Sequence, residues 1–106
     1  MSYSVVITTC ASQEDAESLA SKIIENKLAA CVQLSNIQSY YVWNDAASNE
    51  LEVKLSIKTR HDLYGKLEAF IRKNHSYQVP EIIELPIQSG SKAYLDWIDE
   101  VTEVNA

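Results

Sequence analysis

Glycine is scarce in this chain, with only Gly65 and Gly90 among 106 residues. That argues against a phosphate cradle, which needs glycine where backbone N–H groups must come close to an anion. The loop after the first apolar run, Thr8-Thr9-Cys10-Ala11-Ser12, contains none, and Glu14 and Asp15 follow it with charges that would repel a phosphate. Acylphosphatase-like chemistry is disfavoured on both counts. Basic side chains are also few: nine Lys and Arg stand against fifteen Asp and Glu, a net charge of -6. Nucleic acid and anionic membrane are therefore poor candidates as partners, since both are bound by clustered cations. No apolar run approaches the ~20 residues that span a bilayer. The start of the chain carries no basic segment, so the expected compartment is the cytoplasm. The two cysteines, Cys10 and Cys31, match no zinc or redox spacing. They read first as small buried hydrophobes, kept reduced.

What is present is a regular alternation of elements in one domain, residues 1–106. Residues 3–9 (YSVVITT) are apolar and β-branched, as in a central strand. Ser12 then stands as an N-cap before a helix over 12–27, with Ala16, Leu19, Ala20, Ile23 and Ile24 on one face. Residues 29–43 form a long strand whose apolar parity changes between Leu34 and Ile37, which predicts a bulge near Ser35-Asn36. A turn is expected over Asn44 to Asn49. LEVKLSIKT follows with strict alternation, a strand wet on one face. Thr59 or Asp62 would cap a second helix carrying Leu63, Leu67, Phe70 and Ile71. Pro80 and Pro86 delimit a short edge strand over 81–87, and a last helix starts near Gly90-Ser91.

The order β-α-β-β-α-β plus a C-terminal helix predicts an α+β, ferredoxin-like fold: an antiparallel sheet with helices on one face. Such a sheet leaves its other face bare, and Tyr40, Tyr41, Val42 and Trp43 add apolar area on a protruding hairpin. Self-association is the expectation. No HExxH, GxSxG or paired-acid motif is present, so the chain reads as a non-enzyme. Cys10 and His75 are the one suggestive thiol–imidazole pair, and both suit copper. A loop histidine is as readily a fixture of its loop. His61 reads as a helix-start residue.

The segments VVITTC, IIENKLAACVQL, SYYVWN, EVKLSIKTR, HSYQVPEIIELPI and GSKAYLDWI, in that order, resemble the CutA family of divalent-cation-tolerance proteins over about residues 3 to 99. The resemblance implies a ferredoxin-like subunit in a homotrimer similar in architecture to the PII signalling proteins, with Tyr41 and Trp43 at subunit contacts. It implies a role in tolerance of divalent metal cations, with copper binding ascribed to some members, and protein anchoring to animal members. Family ligands are a cysteine just after the first strand and a His-His pair. Here the pair reads Asn74-His75, with Ser76 in place of the usual proline. Thr8 aligns with the family cysteine, and the thiol stands two residues on, at Cys10. The implied metal residues are thus Cys10 and His75, with copper as the one cofactor to consider. Tyr77 and Glu81 would fix the loop at a cleft between subunits. The alternative reading is a PII-like module that binds a small molecule or partner protein in those clefts, where Lys58 and Arg60 are the nearest basic pair.

Overall fold

A computed structural model describes residues 2–103. β1 (Tyr3–Cys10) leads into α1 (Gln13–Glu25); β2 (Cys31–Trp43) and β3 (Ala46–Arg60) form a long hairpin; a 3₁₀ turn (His61–Leu63) precedes α2 (Tyr64–Asn74); β4 (Ile83–Ile87) and α3 (Lys92–Val101) complete the chain. All strand pairs are antiparallel, in the order β2-β3-β1-β4. This α+β order is consistent with the ferredoxin-like arrangement.

The core lies between one sheet face and the two longer helices. Val6 on β1 and Val53, Leu55 and Ile57 on β3 meet Ala16, Leu19 and Ile23 of α1 and Leu67 and Ile71 of α2, all buried. The period of two on the strands and of about 3.6 on the helices places these residues together. Ser12 caps α1 as its sequence predicts, its hydroxyl accepting from the Asp15 N–H at 3.1 Å. The helix ends in a Schellman motif: the Leu28 N–H reaches the Ile23 carbonyl and the Lys27 N–H the Ile24 carbonyl. Lys27 itself has φ 56°.

Three local expectations are corrected. β2 contains no bulge: its register with β3 runs unbroken from Cys31↔Lys58 to Trp43↔Ala46. The apolar parity changes because the hairpin outruns the helices beyond Asn36 and Val53. Neither face is a core face there, and Tyr40, Val42 and Leu51 are about three-quarters exposed. The turn is two residues, not six. Asn44 and Asp45 have φ 51° and 61°, the positive values of a type I′ turn whose twist suits a hairpin, and Ala46–Asn49 pair as strand. Neither Thr59 nor Asp62 caps the second helix. The buried Thr59 hydroxyl donates instead to the Leu28 carbonyl at 2.7 Å, and Asp62 accepts from Arg60 Nε.

The opposite sheet face is partly covered by α3, where the Tyr3 hydroxyl donates to Asp99 at 2.6 Å. Beyond α3, Ile83 and Leu85 of β4 are nearly half exposed beside Ile7 and Val5. Among the described residues, no helix is long and apolar enough to cross a membrane.

Candidate functional site

β1 ends at Cys10 and α2 ends at Asn74, and the fold brings these two ends together. Cys10 Sγ lies 4.0 Å from His75 Nε2, across 65 positions of sequence. His75 caps the C-terminus of α2 in an extended conformation (φ -90°, ψ 145°), which turns its ring back over the end of β1. Nε2 lies 2.7 Å from the Thr9 carbonyl oxygen, and Nδ1 lies 3.0 Å from the Tyr77 amide nitrogen. A carbonyl can only accept and an amide N–H can only donate. The imidazole is therefore the neutral Nε2–H tautomer, and both ring nitrogens are engaged with backbone.

Tyr77 continues the network. Its ring packs against His75 with centroids 4.9 Å apart, and its hydroxyl donates to Glu52 at 2.8 Å. The other Glu52 oxygen accepts from Ser39 at 2.6 Å. Burial opposes ionisation of Glu52, but the hydrogen bonds from Ser39, Tyr77 and Thr9 outweigh it and hold its pKa below the usual carboxylate value. Burial pushes the Cys10 thiol up to about 11, helped by the negative charges of Asp15 and Glu52. Burial and the Glu52 carboxylate likewise raise the Tyr77 phenol. A cavity of about 230 Å³ opens beside this cluster, lined by Cys10, Asp15, Ser18, Leu19, Lys22, Asn74, His75 and Ser76.

As arranged, these residues do not form a resident metal centre. Cys10 and His75 are two donors where tetrahedral sites use four. The thiol is held protonated, and neither imidazole nitrogen is free. Among the described residues, no three His, Cys, Asp or Glu side chains come together as a metal cage. A nucleophile is not activated either, because the His75 nitrogen facing Cys10 carries a proton and cannot act as its base.

The other residues singled out by sequence are spread more widely. Tyr41 and Trp43 lie near the hairpin tip, 38% and 65% exposed. Lys58 donates to Gln33, while Arg60 is buried, its Nε on Asp62 at 3.0 Å and its terminal nitrogen on the Glu103 carbonyl at 2.6 Å. Arg60 is thus committed to holding the fold, whereas Lys58 is half-buried with a single side-chain partner at the surface. Glu81 is exposed, two residues before β4.

Sequence reasoning missed Glu52 and the cluster around Glu84. Glu52 read as an outward residue of an alternating strand, and only the return of the 75–82 loop partly covers it. Glu84 accepts from Ser4 at 2.7 Å and contacts His61 Nδ1 at 2.7 Å, beside an open cavity of about 330 Å³. The pairing of β1 with β4 aligns Ser4 with Pro86 and Val6 with Glu84. Alternation places Ser4 and Glu84 on one face, but only the pairing makes them neighbours.

Comparison with known proteins gives a consistent picture. Residues 4–101 match the family described as CutA1 divalent ion tolerance protein. The mouse protein named Protein CutA is 39% identical over 103 residues, 96% of this chain. This chain spans only 58% of that relative's length. The solved structure of CutA1 from Oryza sativa superposes with a TM-score of 0.96 at 39% identity, covering 99% of this chain and 97% of that one. The structure of the periplasmic divalent cation tolerance protein CutA from Archaeoglobus fulgidus gives a TM-score of 0.93 at 36% identity, covering 95% and 99%.

Proposed function

Since this chain belongs to the CutA1 divalent ion tolerance family, we propose that it serves tolerance of divalent cations as a non-catalytic homotrimer of the cytoplasm. Copper is taken weakly, at Cys10 and His75. The observation that carries this reading is the 4.0 Å approach of a thiol and an imidazole from opposite parts of the sequence. Two soft or borderline donors favour copper over the hard oxygen-seeking cations. Their number, and the need to deprotonate the thiol, keep the affinity low. Assembly is supported by the exposed apolar side chains of β4 and the hairpin, and by Asp99 Oδ1, buried near the open face without a partner. Three copies is the number the family resemblance supplies.

Titration of reduced, metal-free protein with Cu(I) and Cu(II) tests the site. The expected result is saturable binding near the micromolar range, roughly -8 kcal/mol, weakened at least tenfold by His75→Ala or Cys10→Ser. Binding indifferent to both substitutions would remove copper from these residues. The PII-like reading, with a ligand or partner protein in the clefts between subunits, is favoured by the apolar open face. For an anionic group it would rely on Lys58, because Arg60 is buried and bonded within the chain.

A further inference from the structure

We infer that the cavity between α1 and the end of α2 binds a small zwitterion of the α-amino acid class, held by Asp15 at one end and Lys22 at the other. The site needs no metal and stands apart from any use of Cys10 and His75 as ligands. It begins with a stripe on α1. Asp15, Ser18 and Lys22 follow one another at spacings of three and four residues, which places them along one line of the helix surface. All three line the cavity of about 230 Å³. Leu19 and Cys10, each 3% exposed, supply its buried apolar part.

Across from α1 the wall is fixed. His75 has both ring nitrogens on backbone groups, so the ring is held in one orientation and offers the cavity neither a free N–H nor a lone pair. Asn74 donates its side-chain N–H to the Phe70 carbonyl at 2.8 Å, which leaves its side-chain oxygen as an acceptor at the rim.

The charges then select the ligand. Among the described residues, neither the Asp15 carboxylate nor the Lys22 ammonium forms a hydrogen bond or an ion pair. They stand two turns apart, beyond the three- and four-residue separations at which helix side chains pair. A simple anion is drawn by Lys22 and repelled by Asp15; a simple cation meets the reverse. A molecule with both charges satisfies both residues. The distance along the helix axis is roughly 10 Å. An ammonium and a carboxylate on one carbon, with a contact of about 3 Å to the protein on either side, span a length of that order. The volume lies below the roughly 300–1,000 Å³ of pockets for drug-sized ligands, so the side chain of the ligand is small. Leu19 and Cys10 favour an uncharged one. Both charged residues are exposed, and each contact is therefore weak, which sets the affinity in the millimolar range.

The experiment uses reduced, metal-free, ¹⁵N-labelled full-length protein, so its outcome does not depend on copper. Amide signals are followed by NMR during titration with L-alanine. Propionate and ethylammonium, the same molecule with one charge removed, are titrated at matched ionic strength. The expected result is saturable movement of the amides of residues 15–22 and 74–76 with L-alanine. Each single-charge probe should bind about 3- to 10-fold more weakly. Asp15→Asn and Lys22→Gln, both on the exposed face of α1, should weaken L-alanine by a similar factor. Lys22→Gln should also erase the advantage of L-alanine over ethylammonium, and Asp15→Asn its advantage over propionate. No saturation at millimolar L-alanine would overturn the site. So would saturation with signals moving elsewhere, single-charge probes that bind as well as L-alanine, or affinity indifferent to both substitutions.

Discussion

Lys27 is the only non-glycine residue outside the hairpin turn with positive φ among the described residues. It holds the left-handed position that closes a helix, where glycine has no Cβ to strain. Its carbonyl accepts from the Glu103 N–H at 2.7 Å, a bond that glycine would keep. Lys27→Gly is expected to stabilise the fold by about 0.5–1 kcal/mol, read as a higher urea midpoint at unchanged slope. Thr59→Val should act in the opposite sense. The side chain is fully buried and near in volume to valine, so the change deletes one hydroxyl and strands the Leu28 carbonyl. A loss of about 1–3 kcal/mol in the same denaturation experiment is expected. At this scale the sequence was informative about type and poor about partners. Cys10 and His75 could be picked out by chemistry alone, whereas the acceptor of Nε2 is a main-chain carbonyl that has no sequence signature. Glu52 looked like any solvated strand residue.

Among the elements, the 3₁₀ turn and β4 are tied by His61 and Glu84. The hydrogen bond and charge of Glu84 raise the pKa of His61 above its ordinary 6.5. Burial works against ionisation of Glu84, but the bonds from Ser4 and His61 prevail and lower its pKa below 4.5. The signs then set a window. The raised imidazole contributes stability that is full below 6.5 and lost as pH rises through its folded value. The lowered carboxylate contributes stability that is present above 4.5 and lost as pH falls through its folded value. His61→Gln should therefore cost most stability between those two pH values and progressively less on either side, which a series of thermal melts against pH would show. Equal cost at every pH would mean that the pair contributes packing only.

Most elements could be read from their periodicity, because α1 and the inner half of β3 each expose one clean polar face. The outer half of the hairpin could not. Ala46, Ala47, Ser48 and Asn49 have little strand preference of their own and are paired because the Asn44–Asp45 turn delivers them opposite Tyr40 to Trp43. The supposed bulge came from assuming that a buried layer followed the strand along its whole length. The 3₁₀ turn escaped notice because three residues are too few to show a period.

For the molecule as a whole, the decisive property is apolar surface without a cover. Ile83 and Leu85 on one face and Tyr40, Val42, Leu51 and Trp43 on the hairpin are exposed together in a single chain. Light scattering on the native protein should give three times the chain mass. Leu85→Glu, which places a charge in the middle of the open face, should shift that mass toward one chain and lower the melting midpoint. An unchanged mass would move the contact elsewhere, with Trp43→Glu the next substitution to weigh in the same instrument.

The unbroken register of β2 with β3 has a mechanical side. A two-stranded ribbon without a bulge transmits bending along its length instead of absorbing it at a kink. Tyr77 grips Glu52, which is paired with Ile37, and the turn lies about seven residues further out. At ~3.3 Å per residue that is a lever of roughly 23 Å. A tilt of about 5° at the grip would carry the tip by roughly 2 Å, comparable to a helix shift at a subunit interface. A displacement too small to register at the imidazole is thus magnified at Trp43, beside the turn.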